Sequence, residues 1–154
     1  MMIDVFNTEF ELSLRILLIL NAPNVDRLSI DRIAAIDFIT AYGKDFGVVD
    51  YNLHGDNNYR FSEFTSRRDL ITKAIRALVV EGLVRAICQK SGFYYSISSK
   101  GEEYCLKLNN KYAREYSDII RYTLDYVKKK SDRDLADKIN SYSILSLRGG
   151  LRNE

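Results

Sequence analysis

Residues 66–98 of the chain read SRRDLITKAIRALVVEGLVRAICQKSGFYYSIS, and this stretch decides the fold. Between positions 70 and 79 the apolar residues recur at the i, i+4 and i+8 spacing of a single buried helix face. Ser66 is suited to cap the start of that helix, and Gly82 is suited to end it. Two short runs rich in β-branched and aromatic residues follow, at 83–89 and 93–98, with turn residues between them. The sequence therefore predicts a helix followed by a β-hairpin.

The rest of the chain is predicted to be mainly helical. Capping residues before apolar runs predict helices over about 9–20, 30–42, 99–108, 110–129 and 132–139, with caps that include Thr8, Ser29 and Ser131. A two-stranded hairpin is marginally stable in water, so it must pack against these helices. We expect a mainly α fold with a small β-hairpin (α+β), a winged helix-turn-helix. The expected division is a winged-helix domain at 1–108, with a long loop at 44–64, and a C-terminal helical extension and tail at 109–154.

The first two helices are expected to contribute much of the core. The helix at 9–20 is apolar on nearly every side, so it should be central, with Arg15 at its rim. In the second helix the inward-facing stripe includes either Asp37 or Phe38. Pro23 separates the two helices, because proline cannot continue the hydrogen-bond ladder of the first.

The composition limits the classes of protein to which the chain can belong. The chain has 154 residues, 46% of them hydrophobic and 29% charged, with one proline, which indicates a globular rather than a disordered protein. The net charge of +2 neither requires nor excludes nucleic acid. The longest apolar run, 16–20, is too short to cross a membrane. Cys88 and Cys105 fit no zinc spacing and are expected to be reduced and buried, which favours a cytoplasmic location.

The most unusual string is DYNLHGDNNYRF at 50–61, inside the predicted long loop. It loosely resembles a calcium loop, but the twelfth position holds Phe61 where a bidentate Glu is needed, so calcium is rejected. His54 is the only histidine of the chain, and no second nitrogen or thiolate ligand lies near it in the sequence, so a metal or catalytic role is disfavoured. We prefer a structured binding loop, in which Asn and Asp side chains cap turns while tyrosines face a partner.

Motifs of catalysis are not found in the sequence. A Gly-rich loop with Lys and Ser/Thr, which would bind nucleotide phosphates, does not occur, so ATP chemistry would have to come from another polypeptide. No Ser or Cys has an obvious general base, since His54 is the only candidate. We therefore expect a protein that is not an enzyme and that needs no metal or cofactor.

Several strings together resemble the middle component 2 family of bacterial ABC three-component systems. They are FNT (6–8), ELSLRIL (11–17), SIDR (29–32), DFI (37–39), YGKDFG (42–47), NLHGDNNY (52–59), FSEF (61–64), SRR (66–68) and GFYY (92–95). The resemblance covers roughly residues 5–140, and the loop string is its most specific part. It implies a winged-helix protein placed between an ABC-type ATPase subunit and an effector subunit in phage or mobile-element defence, and it carries over no functional residues.

A basic region is the main indication of DNA binding. Positions 59–90 hold seven cations and three anions, an excess of four, although the whole chain carries only +2. Such asymmetry is typical of a face that binds a polyanion, although Asp69 opposes phosphate. In this interpretation double-stranded DNA is contacted by Arg60, Arg67, Arg68, Lys73, Arg76 and Lys90.

Tyrosines favour a protein partner instead, because aromatic residues are enriched in interface cores. Along the helix at 110–129 a seam of residues recurs at four- and three-residue steps, which indicates either packing within the chain or the interface of a homodimer. Its members are Tyr112, Tyr116, Ile119, Thr123 and Tyr126. The residues expected to bind a partner are Tyr51, His54, Asn57, Asn58, Tyr59, Tyr94, Tyr112 and Tyr116, with Val80 also exposed. The leading hypothesis is a non-catalytic adaptor that couples ATPase and effector through protein contacts, with DNA as a further contact if the basic region binds it. The alternative is a homodimeric winged-helix transcriptional regulator.

Overall fold

The helices and the hairpin follow the predicted order. The computed structural model describes residues 8–56 and 64–152, with the backbone alone for Ser143 and 146–152. The elements are α1 (Glu9–Leu20), α2 (Ile30–Ala41), a 3-10 helix (Gly43–Phe46), α3 (Phe64–Val80), β1 (Val84–Gln89), β2 (Gly92–Ile97), α4 (Ser99–Leu106), α5 (Lys111–Val127) and α6 (Asp132–Arg152). Helices around one two-stranded antiparallel sheet make up the described residues, and this confirms the α+β prediction.

Side-chain caps begin most of the helices. The Glu11 amide donates to the Thr8 hydroxyl at 3.2 Å, and Ser29 caps α2 in the same way. The Asp134 amide donates to the Ser131 hydroxyl at 3.0 Å, so the predicted cap of α6 is confirmed. The predicted cap at Ser66 is wrong, because α3 already includes Phe64 and places Ser66 inside the helix.

The hairpin is fixed to the helices along one edge. Its strands pair antiparallel from Val84 opposite Ile97 to Gln89 opposite Gly92. On the other side of β2, Leu28 and Tyr95 exchange two backbone hydrogen bonds of 3.0 and 2.8 Å. The segment between α1 and α2 therefore pairs with β2 at a single bridge, and the hairpin does not stand alone.

Residue Gly82 ends α3, as predicted. Its φ of 79° is left-handed, which costs little only for glycine. The Leu83 amide then donates to the Leu78 carbonyl at 2.9 Å, which satisfies a carbonyl at the helix end. The chain can thus leave α3 directly into β1.

Helix α5 packs back onto the rest of the chain. Its side chains Tyr116 and Thr123 are fully buried, and the Thr40 hydroxyl of α2 donates to that of Thr123 at 2.9 Å. Leu135 and Ile139 of α6 belong to the same apolar core. The tyrosine seam is therefore intramolecular at Tyr116, and its assignment there to a homodimer interface is wrong.

Side chains at the start of α2 bind the segment that connects α5 to α6. The Arg32 guanidinium donates to the carbonyls of Lys130 and Val127 at 2.5 and 2.6 Å. It also pairs with Asp132 at 3.1 Å, and the Ser29 hydroxyl donates to the other oxygen of that carboxylate at 3.0 Å. The residues that begin α6 are therefore fastened to α2.

Within residues 8–56 and 64–152, no helix combines the length and the apolar character that a membrane span requires. The two cysteines are free, but only Cys105 is buried as predicted. Cys88 is exposed, because it lies on the outer part of the hairpin opposite Phe93.

Candidate functional site, a loop anchored over a buried charge cluster

The chain between the 3-10 helix and residue 56, here called the 47–56 loop, is held by the side chain of Asn52. The Asn52 carbonyl oxygen accepts from the Lys44 amide at 3.0 Å, and its amide group donates to Asp56 at 2.7 Å. The His54 backbone amide donates to the Ala41 carbonyl at the end of α2, also at 3.0 Å. This part of the unusual string is therefore structured, with Asn and Asp side chains closing turns as expected.

Two loop side chains anchor the 47–56 loop to α5. The Tyr51 hydroxyl donates to Glu115 at 2.9 Å, near the surface. Deeper in the structure, His54 Nε2 and the Tyr112 hydroxyl share a hydrogen bond of 2.6 Å. The His54 ring also packs edge-to-face with the ring of Tyr42, the residue that follows α2, with 6.0 Å between ring centroids. The only histidine of the chain thus joins the loop to two helices.

Beneath His54 lies a buried charge cluster, here called the Asp37 cluster, formed by Asp37, Arg15, Arg67 and Tyr116. Arg15 Nε donates to Asp37 Oδ1 at 2.8 Å, and the Tyr116 hydroxyl donates to the same oxygen at 2.5 Å. Arg67 Nε lies 3.7 Å from Oδ2. None of the four residues is more than 2% exposed. Because they come from α1, α2, α3 and α5, four helices meet at one carboxylate.

The charges of this cluster determine its ionisation. Burial alone would raise the pKa of Asp37, but the charges of Arg15 and Arg67, together with hydrogen bonds from Arg15 and Tyr116, hold it well below its usual range. Burial and the nearby Asp37 charge raise the pKa of Tyr116, so its hydroxyl stays protonated and can donate. The cluster is therefore an ionised carboxylate between two guanidinium groups.

The same two arginines affect His54. Burial lowers the pKa of His54 to about 3, and the charges of Arg15 and Arg67 act in the same direction against the weaker effect of Asp37. His54 is consequently neutral near pH 7. Tyr112 links it to the cluster, because its ring stacks on Tyr116 with 6.0 Å between centroids.

The cluster corrects the predicted role of Arg67. This residue was expected to contact DNA, but its guanidinium lies inside the core, 5.7 and 5.6 Å from the ring centroids of Phe38 and Tyr42. Its position on α3 faces α2, and Asp37 neutralises part of its charge there. Arg15, expected at the rim of the first helix, is likewise fully buried.

The other predicted DNA contacts lie outside the core. Lys73 and Arg76 are exposed on α3, and Lys90 is exposed in the hairpin turn. Arg68 is partly exposed and pairs with Asp31 of α2 at 2.6 Å, which reduces the charge it offers to a phosphate. Arg60 lies outside the described residues.

The predicted partner-binding residues fall into three groups. Tyr51 is exposed on the loop, while His54 and Tyr112 are partly buried beneath it and Tyr116 is core. Tyr94 is partly buried on the hairpin, where its hydroxyl shares a hydrogen bond of 2.8 Å with Ser91. Asn57, Asn58 and Tyr59 lie outside the described residues.

Two large apolar side chains are exposed on the surface formed by α3 and the hairpin. Val80 at the end of α3 is 87% exposed, as expected, and Phe93 on the hairpin is 59% exposed. Phe93 had no predicted role, although its place beside the turn of a hairpin is a position where a large aromatic residue is hard to bury. We call Asp69, Lys73, Arg76 and Val80 the α3 face; all four are exposed.

The described residues include no group of three His, Cys, Asp or Glu side chains placed to hold a metal ion. The residues that organise the site, Arg15 and Asp37, were given no functional role from the sequence. A signal was present, because each is a charged residue within an apolar helix stripe, and buried charges usually pair.

Comparison with protein families gives a match that covers most of the chain. No curated protein and no solved structure matches the sequence. A family profile described as the ABC-three component (ABC-3C) system Middle Component 2 matches residues 5–148, which include every helix described above except the end of α6. Since that match covers most of the chain, the protein belongs to the Middle Component 2 family of ABC three-component systems.

Proposed function

We propose that this middle component is a non-catalytic adaptor that joins an ABC-type ATPase subunit to an effector subunit through protein contacts, in a bacterial system of phage defence. The observation that carries the proposal is the combination of cations and large exposed apolar side chains on α3 and the hairpin. ATP chemistry then belongs to the ATPase subunit, and this chain needs no cofactor.

The order of elements supports a winged helix-turn-helix as the framework of the adaptor. In the described part of the chain, three α-helices and a 3-10 helix precede the hairpin, and the bridge between Leu28 and Tyr95 pairs a further segment with its outer strand. This is the arrangement in which a wing is held beside the third α-helix. In this interpretation α3 is the helix that presents side chains to a partner. The connection between α2 and α3 is much longer than a tight turn, which gives the loop room to form a second surface.

Exposed apolar area favours protein over DNA as the ligand of the α3 face. Val80 extends almost fully into solvent, and Phe93 exposes more than half of its surface. Phosphate groups gain nothing from such side chains, whereas a protein pocket gains by covering them. Asp69 on the same face would repel a phosphate backbone.

Charge indicates the chemistry of the partner surface. In the described part of the chain, Lys73 and Arg76 form no ion pair with another residue of the chain. Acidic side chains around an apolar pocket would complement them and would steer association. We therefore propose that the partner subunit presents an acidic surface with a pocket for Val80.

The alternative is a homodimeric DNA-binding regulator, and one observation favours it. Lys73, Arg76 and Lys90 are exposed cations on α3 and the hairpin turn, the two elements with which winged helices contact DNA. The loss of Arg67 to the core weakens this alternative, because the basic region then has one fewer cation available to phosphates.

Calorimetric titration of the purified chain against the ATPase and effector subunits of its own system tests the proposal. Val80→Asp should weaken the binding of one subunit at least about tenfold, because it removes an apolar anchor and places a charge in its pocket. Lys129→Glu, an exposed change at the end of α5, is the matched control and should have little effect. Equal affinities for the wild type and Val80→Asp would overturn the assignment of this face.

Fluorescence anisotropy with a labelled random duplex at several salt concentrations tests the alternative. The adaptor proposal expects no binding at low salt. Binding that falls steeply with salt and is lost in Lys73→Glu would assign the face to DNA and replace the adaptor proposal with the regulator.

A further inference from the structure

We infer that the 47–56 loop and α3 are coupled through Tyr112 and the Asp37 cluster, so that displacement of His54 from Tyr112 loosens α3. The coupling of these two elements stands on contacts alone. Its regulatory meaning rests on the proposed function, because only a docking surface on α3 would make a partner at the loop able to change binding at α3.

The path between them is a continuous series of contacts. His54 bonds the Tyr112 hydroxyl at 2.6 Å, and the Tyr112 ring stacks on Tyr116, whose hydroxyl donates to Asp37 Oδ1 at 2.5 Å. The other oxygen of Asp37 lies 3.7 Å from Arg67 of α3. The links from Tyr116 through Asp37 to Arg67 join charged or strongly polar groups inside the core, where geometry changes are costly.

The series of contacts ends at Arg67, and because Arg67 belongs to α3, a change at the loop can alter the position of that helix. Arg67 lies six residues before Lys73 and nine before Arg76, on the opposite side of the same helix. Because a helix moves as a unit, a shift of Arg67 relative to Asp37 changes the position of the exposed residues as well. A contact made at the loop is thereby converted into a movement of the α3 face.

The covalent connection between the loop and α3 offers a simpler explanation of coupled exchange, and the experiment must distinguish it from the path through the Asp37 cluster. Residues 57–63 connect them through the chain, so any loosening of the loop could reach α3 by covalent continuity. Tyr51 provides the matched control, because it anchors the same loop to Glu115 but lies outside the cluster. A change at Tyr51 loosens the loop without altering the path through Tyr112 and Asp37.

Hydrogen exchange measured by mass spectrometry on the full chain at pH 7 tests the inference. Tyr112→Phe removes one hydroxyl and leaves the ring stacked on Tyr116, so the fold should be retained. Exchange should rise about fivefold to tenfold both at the amides of the loop, including that of His54, and in the first two turns of α3. Tyr51→Phe should raise exchange in the loop alone.

Two results would overturn the coupling. One is a Tyr112→Phe protein in which α3 exchanges at the wild-type rate, whether or not the loop responds. The other is a Tyr51→Phe protein in which α3 responds as strongly as in Tyr112→Phe, since the chain connection would then explain the effect.

A reciprocal variant keeps the inference testable from the other end. Coupling must act in both directions, so Arg67→Gln should raise exchange in the 47–56 loop as well as in α3. Titration of Tyr112→Phe with the partner subunit distinguishes this inference from the proposed function. Coupled exchange with unchanged partner affinity would leave the coupling standing and remove the proposed role of the α3 face.

Discussion

The hydroxyl of Tyr116 donates a hydrogen bond of 2.5 Å to the Oδ1 atom of Asp37, and both residues are buried. This contact joins α5, from the predicted C-terminal extension, to α2 at the centre of the fold. Arg15 donates to the same oxygen from α1. The buried carboxylate of Asp37 therefore holds α1, α2 and α5 together.

Replacing Asp37 with Asn should destabilise the protein by about 3–5 kcal/mol, because two buried guanidinium groups would lose their counter-charge. Urea unfolding followed by circular dichroism measures the change. Asp31→Asn is the matched control, since Asp31 pairs with Arg68 at the surface, and it should cost no more than about 1 kcal/mol. Equal losses for the two variants would contradict a structural role of the Asp37 cluster.

Removing the Tyr116 hydroxyl should cost about 1–3 kcal/mol, because Asp37 would keep its charge but lose one buried donor. Tyr116→Phe preserves the ring and its packing, so chemical unfolding isolates the hydrogen bond. Tyr122→Phe changes an exposed tyrosine of the same helix and should be neutral. Light scattering should give the same mass for wild type and Tyr116→Phe, and a change in mass would revive the interface interpretation of this residue.

Stability should fall as the pH drops from about 6.5 toward 3. The pKa of His54 is lowered to about 3 in the folded protein, so between these values the unfolded state binds more protons. The stabilisation is complete above pH 6.5, and at pH 5 about 2 kcal/mol of it should be lost.

Substitution of this single histidine isolates the effect. In His54→Gln the decline between pH 6.5 and 5 should disappear, since the chain has no other histidine. Urea midpoints at pH 7, 6 and 5 for both proteins make the comparison. A wild-type protein equally stable at pH 7 and 5 would show that His54 is more solvated than its contacts indicate.

Residue Gly101 should not tolerate a larger side chain. A Cβ atom at this position would lie 2.3 Å from the Leu83 carbonyl oxygen and 2.7 Å from Ile97 Cγ1. Gly101→Ala should therefore destabilise the protein by about 1–3 kcal/mol, since α4 must move away from Leu83 and Ile97. Ser99→Ala, an exposed change on the same helix, is the control, and thermal unfolding of the two proteins decides the prediction.

Local sequence signals predicted the secondary structure well. The first helix was expected over about 9–20 and is observed at Glu9–Leu20, because Thr8 and Glu11 specify its start and Pro23 follows its end. Gly82 marked the change from helix to strand for a similarly local reason. Ser66 was misleading, since serine is common at helix starts but is also tolerated inside a helix.

Tertiary contacts were predicted less well, because they depend on which distant residues meet. The apolar stripe of α2 contains both Asp37 and Phe38, and no local signal decides that the carboxylate points inward. Only the arrival of Arg15 and Arg67, from 22 positions before Asp37 and 30 after it, makes its burial favourable. For the same reason the basic count at 59–90 overstated the charge on the surface.

The clamp formed by Arg32 and Ser29 at the start of α2 has a mechanical consequence. A pulling force applied to α6 would be carried by the backbone of the α5–α6 junction and also, through the Asp132 carboxylate, by Ser29 and Arg32. From there the load would run along the rigid axis of α2 toward Asp37. A displacement of the C-terminal helix would thus be transmitted through α2 to the Asp37 cluster in the core.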